Sequence, residues 1–288
     1  MRYFENLHPI CILCYFVAVI GLTLTCFHPV MLLVSLLGAL AFLIRLKGGR
    51  GAVRHLSFVI PMSLLVAIAN PLINHRGVTL LGLFLNQWIT LEAIAYGITA
   101  GLSLAALILW FGCYSAVLTS DKFTALFGNV IPALSLLLVM VLQMIPALTR
   151  KAQQILLARR AIGKGISQTG KLPDKIKDGA TVLSALTDWA LEGSLVTADS
   201  MRSRGYGTGK HTHFQLYRMT RRDWVLLALI LGLEIAVVMA GGTSASFTPR
   251  LKISPLGWGF PLYCCLLLIP TILHLKEAVV WQFLRWKI

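Results

Sequence analysis

Long apolar runs, each closed by a short polar or basic stretch, set the pattern of this chain. Residues 10–27 are long enough to cross a bilayer, which takes about 20 apolar residues, and His28-Pro29 then turns the chain. Residues 30–46 predict a returning helix that ends among Arg45, Lys47, Arg50 and Arg54, interleaved with Gly48, Gly49 and Gly51. Residues 56–73 predict a third crossing, with Asn70-Pro71 marking its end. Residues 74–90 read as a connection, with a turn at His75-Arg76-Gly77 and 80–85 resting at the membrane interface. Residues 91–118 predict a fourth crossing, with Glu92 in the first turn, where the positive end of the helix dipole favours an acid. Residues 224–240 and 256–275 predict a fifth and a sixth, joined by 241–254.

One apolar run does not fit this alternation. Residues 131–148 are apolar enough to cross, but the interval that follows is the most basic in the chain. From Arg150 to Arg222 there are 14 Lys and Arg against five Asp and Glu. Basic loops stay on the cytoplasmic side, so a crossing here would put the largest positive cluster outside. The run also holds Gln143 between Pro132 and Pro146. It therefore reads as a helix at or within the cytoplasmic leaflet, continuing with a kink past Pro146. Its continuation has Leu148, Ala152, Ile155 and Arg159 on one face and stops at Gly163-Lys164-Gly165. After Gly170 and Pro173 a second helix is predicted over 174–203, with Val182, Leu186, Trp189, Gly193 and Val196 on one face. Asp188, Glu192 and Asp199 argue against its crossing, since a central acid costs about 2.5–3.5 kcal/mol. Ala190, Ser194 and Ala198 are four apart, either a close-approach face for another helix or chance in an alanine-rich segment.

Composition agrees with the pattern. The 288 residues are 57% hydrophobic and 13% charged, with a mean hydropathy of +0.77. Soluble domains run about 45–50% apolar and about 25% charged. The expectation is an all-α integral membrane protein of about six transmembrane helices plus two long helices on the cytoplasmic side. Its regions are 1–122 (four spans), 123–222 (the cytoplasmic-side pair) and 223–288 (a C-terminal hairpin), with both termini in the cytoplasm of a cell-membrane protein. Glu5, His8 and Pro9 make the first run a retained helix rather than a cleaved signal. The net charge of +15 reflects positive-inside bias, a docking surface for an acidic partner, or both. Nucleic acid is not expected, because no recognition fold accompanies the charge. Cys11, Cys14, Cys26, Cys113, Cys264 and Cys265 lie in or beside apolar runs and read as small hydrophobes, Cys11-Ile12-Leu13-Cys14 included.

Catalytic chemistry finds no footing. Gly205, Gly207 and Gly209-Lys210 suggest a phosphate loop, but Arg204 stands where its first Gly is needed and His211 where Ser or Thr is needed. These glycines read instead as a helix terminator. His211 and His213 alternate without nearby acids or thiols, so no metal is expected, and no cofactor either. Two arginine-bearing helix ends remain: Ala158-Arg159-Arg160 and Ser203-Arg204-Gly205. A guanidinium presents a fixed fork of donors and keeps its charge, which suits a protein groove. It equally suits neutralising a helix C-terminus or reaching lipid phosphates.

Ala-Asp-Ser-Met-Arg-Ser-Arg-Gly-Tyr-Gly at 198–207 and Ala158-Arg159-Arg160 resemble the two Ala-Arg-Gly motifs of the transmembrane T component of energy-coupling factor (ECF) transporters. The first motif departs by holding Arg160 where the family has glycine. Asn-Pro-Leu-Ile-Asn-His-Arg-Gly at 70–77 and the His-Pro turns at 8–9 and 28–29 are similar to the family as well. The resemblance implies a non-enzymatic membrane scaffold whose coupling helices dock on two ATP-binding cassette subunits through Ala158, Arg159, Arg160, Ser203, Arg204 and Gly205. It implies that Leu148, Ala152, Ile155, Val182, Leu186, Trp189 and Gly193 face a small membrane-embedded substrate-binding S component. The imported substrate would be a vitamin or a metal ion, and ATP hydrolysis would belong to the partners. The competing readings are a self-contained permease or channel, with the intramembrane Glu234 on its path, and a membrane enzyme using His211 and His213.

Overall fold

A 45-residue helix dominates the computed structural model, and it cannot be a single rod across a membrane. At 1.5 Å per residue it would measure about 68 Å, more than twice the ~30 Å hydrocarbon thickness of a bilayer. The model describes residues 4, 7–74, 78–84, 87–119, 122–123, 125–126, 132–163, 172–209, 217, 219–241, 245–246, 252–253, 255 and 257–285. Among these, the helices are α1 (Pro9–Thr25), α2 (Pro29–Ile73), α3 (Leu91–Val117), α4 (Pro132–Ala161), α5 (Leu172–Ser203), α6 (Arg221–Ala240) and α7 (Gly259–Arg285). The chain divides into two compact units, one of Met1–Phe123 with Tyr217–Ile288, the other of Thr124–Leu216.

In the first unit, α1 starts where His8 Nδ1 accepts the Ile10 N–H at 3.3 Å and Pro9 fills the first helical turn. That arrangement satisfies one of the N–H groups that a helix start leaves unpaired. The long helix α2 is interrupted at Gly48, whose φ of 72° and ψ of 171° are non-helical. The glycine-rich basic stretch expected to be a loop is thus an elbow made by one residue, with helix resuming directly after it. Only glycine takes this conformation without strain. Neighbouring helices give the direction of each arm. Trp110 Nε1 donates to Ser35 Oγ at 2.9 Å and Cys113 Sγ to the Ala39 carbonyl at 3.6 Å, so α3 runs parallel to the first arm. A Cβ on Gly97 would lie 2.6 Å from the Ala67 carbonyl, and one on Gly101 2.7 Å from that of Ser63, so α3 runs antiparallel to the second. The arms therefore reverse direction at Gly48, and Lys47 Nζ donates across the bend to His55 Nε2 at 2.8 Å.

The remaining segments of this unit alternate in the same way. Cys11 Sγ donates to the Asp223 carbonyl at 3.4 Å, bringing the starts of α1 and α6 together. The Tyr15 hydroxyl donates to the Leu267 carbonyl, while Thr23 Oγ1 shares a hydrogen bond with the Tyr263 hydroxyl, so α7 opposes α1. Phe4, Tyr15, Phe16, Phe42 and Trp110 fill the centre with fully buried rings in mostly edge-to-face contact. In lipid such packing gains little from water exclusion, and close van der Waals fit with interhelical hydrogen bonds does the holding. Among the described residues, four helices are long and apolar enough to cross a membrane: α2, α3, α6 and the Leu134–Ala161 stretch of α4. Helix α1 and the Gly259–Leu273 stretch are apolar but shorter. Length and mean hydropathy do not set α4 apart from a crossing helix; the argument against its crossing is the charge that follows it, with Gln143 between Pro132 and Pro146.

Every long element is a helix, as expected of an all-α chain, and two short strand pairs are added in its connections. Residues expected to rest at the interface form a strand, β1 (Leu80–Phe84), paired antiparallel with β2 (Gln87–Thr90). A second short pair joins β3 (Ala245–Ser246) to β4 (Lys252–Ile253). Pairing satisfies backbone donors and acceptors in a segment too short for a crossing helix. The first hairpin is tied to α3 at its base. Thr90 Oγ1 accepts the Ala93 N–H at 3.3 Å, and the buried Glu92 carboxylate accepts from Thr79 Oγ1 at 2.6 Å and from the Thr79 N–H.

Candidate functional site

The second unit holds α4, α5 and both arginine-bearing ends. The end of α5 is a Schellman motif in full. The Tyr206 N–H donates to the Met201 carbonyl at 3.0 Å and the Gly205 N–H to the Arg202 carbonyl at 3.0 Å, with Gly205 at φ +78°. These two bonds satisfy carbonyls that the helix end would leave unpaired, and the left-handed residue between them favours glycine. The reading of these glycines as a helix terminator is therefore what the backbone does. Arg204 is the capping residue itself, and Arg202, Ser203, Arg204 and Gly205 are all exposed.

Helix α4 ends differently. Its stop is Gly163, at φ +74°, whose N–H donates to the Arg160 carbonyl at 3.0 Å. Arg160 stands where a motif glycine would close the helix, and the chain goes on to the next glycine before stopping. By position relative to the left-handed glycine, Arg160 is the counterpart of Arg202. Arg159 lies one residue further inside, and Arg204 has no arginine counterpart. The two motifs, alike in sequence, sit at different depths in their helix ends. Lys164, Gly165, Lys210, His211 and His213 lie outside the described residues.

Arg159 is also held. Its guanidinium Nη2 donates to Asp178 Oδ1 of α5 at 2.6 Å, with side-chain exposures of 17% and 28%. A charge-assisted bond of this kind contributes about 1.5–3 kcal/mol. Eight residues back along α4, the Lys151 ammonium lies 5.7 Å from the centre of the Trp189 ring, worth about 0.5–1 kcal/mol. The order of these contacts, 151 with 189 and 159 with 178, makes α4 and α5 antiparallel where they meet. Helical spacing then puts Leu148, Ala152 and Ile155 on the face of α4 that carries Arg159, and Val182, Leu186, Trp189 and Gly193 on the face of α5 that carries Asp178. Val182 is buried and the other six are partly buried. These seven residues lie on the faces the two helices turn toward each other. The apolar residues left exposed are others, among them Leu157, Leu183, Leu191 and Leu195.

The geometry brings Arg159 and Asp178 together and keeps Arg204 far from both. Twenty-six residues of sequence separate Asp178 from Arg204, about 39 Å along α5. The arginine-bearing ends are thus at opposite ends of the helix pair. Sequence reasoning passed over Asp178, although it is one turn from Val182 and so on the same face. Comparison with protein-family models and with curated proteins finds no match for this chain.

Proposed function

We propose that this chain is the membrane scaffold of an ECF-type importer, a T component with six crossings and both termini in the cytoplasm. In this reading α4 and α5 are its coupling helices, and each arginine-bearing end holds one ATP-binding cassette subunit. The observation that carries the reading is the opposition of the two ends. A scaffold that must engage two separate subunits needs two cationic tips well apart on one rigid element, and about 39 Å of continuous helix supplies that separation. Arg204 is the leading anchor, because its side chain is exposed at a capped helix end. At the other end the exposed Arg160 meets the partner, and Arg159 braces the tip through Asp178. The exposed apolar positions Leu183, Leu191 and Leu195 of α5 then support the S component. Closure of the ATPases would shift the tips and, through the continuous helices, that apolar surface. The substrate, a vitamin or a metal ion, would be chosen by the S component.

The test is co-purification with the ATPase subunits. Arg204→Glu is expected to weaken retention of the ATPase subunit held at that end about tenfold or more, the loss typical of a central charged anchor, with the thermal unfolding midpoint of the chain unchanged. Full retention and full transport by that variant would remove the docking role.

A further inference from the structure

A groove of about 330 Å³ runs between the two arms of α2 and α3 in the first unit. Leu40 of the first arm, Leu56, Ile60 and Leu64 of the second, and Ile98 and Leu109 of α3 are among the side chains that line it. Ile60, Leu64 and Ile98 are each more than half exposed, so it opens sideways. The lining of the second arm extends from Leu56 to Ala67, about 16 Å at helical rise. That length is close to one leaflet, half of the ~30 Å hydrocarbon core. The groove is thus as long as a single acyl chain in one leaflet.

One end of it carries charge. Leu56 directly follows His55, whose ring sits 3.7 Å from where a Cβ on Gly112 would lie. Beyond His55 is the Gly48 elbow, where Lys47, Arg50 and Arg54 are exposed. No Asp or Glu occurs between Glu5 and Glu92, so α2 itself offers these cations no acid. Exposed arginines bind phosphate oxygens through paired donors, and clustered cations beside a membrane helix attract anionic lipid.

We infer that the elbow and the groove form one site for an anionic phospholipid. The headgroup phosphate rests on Lys47 and Arg50 at the elbow, and one acyl chain lies along Leu56, Ile60 and Leu64. Arg54, two residues before Leu56, does not share that face of the helix. A zwitterionic lipid brings the same phosphate together with its own ammonium and so offsets less of the elbow's charge, and a detergent tail offsets none of it. The site holds the two arms of α2 at a fixed angle, since it contacts both sides of the bend. The inference rests on this unit lying in a bilayer and not on the coupling role, so it stands or falls separately from ATPase docking.

The test is native mass spectrometry of the full chain after delipidation, titrated with dioleoylphosphatidylglycerol or dioleoylphosphatidylcholine. The wild-type chain is expected to take up the anionic lipid about tenfold more readily or better. Lys47→Gln and Arg50→Gln are each expected to cost about fivefold of that preference, Arg54→Gln clearly less, and the triple variant is expected to bind both lipids alike. Leu64→Trp, at an exposed position of the wall, is expected to lower uptake of both lipids while leaving their ratio unchanged. The single variants keep the test decisive if the triple variant does not fold. Equal uptake of the two lipids by the wild-type chain overturns the inference, as does an unchanged preference in the single variants. Undiminished uptake by Leu64→Trp removes the groove from the site.

Discussion

Ala158-Arg159-Arg160 and Ser203-Arg204-Gly205 share the central arginine, and besides its depth in the helix end what sets Arg159 apart is a carboxylate 19 residues away. Asp178 takes one oxygen of its carboxylate to 2.6 Å from the Arg159 guanidinium, in a contact where both side chains are mostly covered. An exposed ion pair contributes about 0–1 kcal/mol, and partial burial with a short charge-assisted bond raises that toward about 1.5–3 kcal/mol. A double-mutant cycle over Arg159→Gln and Asp178→Asn measures the term directly. Each single change is expected to lower the thermal unfolding midpoint, and the double change to cost clearly less than the two together. Additivity within about 0.5 kcal/mol would show that the pair is not coupled. The glycine stop at 205 was legible, because glycine just past a helical pattern takes the left-handed capping conformation without the strain a Cβ would bring. The bridge was not: Asp178 is joined to Arg159 only through how α5 turns back beside α4, and nothing in the local pattern of either helix states that angle.

Helix by helix, the apolar runs were a good guide to where α1, α3, α5 and α6 begin and end, since the long periodic or continuously apolar segments carry the strongest signal. The elbow was misread and the hairpin went unread, for opposite reasons. Gly48, Gly49 and Gly51 among four cations look like a loop because glycine weakens helices, but only Gly48 leaves helical geometry. Residues 80–90 look like the end of a connection because strands of four and five residues leave little periodicity to find. The same geometry predicts how α3 tolerates change. A Cβ on Gly97 or Gly101 would fall 2.6 and 2.7 Å from backbone carbonyls of α2, which cannot move aside as a side chain can. Gly97→Ala and Gly101→Ala are each expected to force the helices apart and cost about 1–3 kcal/mol, as overpacking does. Gly21→Ala is the control, because nothing lies within 4 Å of its added methyl, and helix propensity favours alanine there by about 1 kcal/mol. Thermal unfolding of the three variants in one detergent should lower the midpoint for the first two and hold or raise it for the third. Equal midpoints for all three would mean that α3 does not approach α2 this closely.

Across the whole chain, charge and helix geometry divide the work between the units. The first unit gathers apolar helices whose polar side chains mostly face one another, such as Thr23, Ser35, Tyr263 and Trp110. The second holds 11 Lys and Arg against five Asp and Glu, and its two long helices meet over part of their length. On the proposed coupling role, tips about 39 Å apart along α5 are too distant for one groove to hold both, so each must hold its own subunit. Partner stoichiometry is therefore the sharpest consequence. In nucleotide-free complexes, where ATP does not clamp the two ATPases to each other, Arg204→Glu is expected to leave one ATPase per chain where the wild type holds two. Arg160→Glu is expected to remove the other subunit, because its side chain is an exposed cation on that helix end. Arg159→Glu should weaken the same end indirectly, by setting two carboxylates against each other at the Asp178 contact. Native mass spectrometry distinguishes these species by one subunit mass. If either reversal removes both ATPases together, the two ends form one composite contact and the argument from their separation fails. If each removes a different one, the length of α5 is what sets the spacing of the partners.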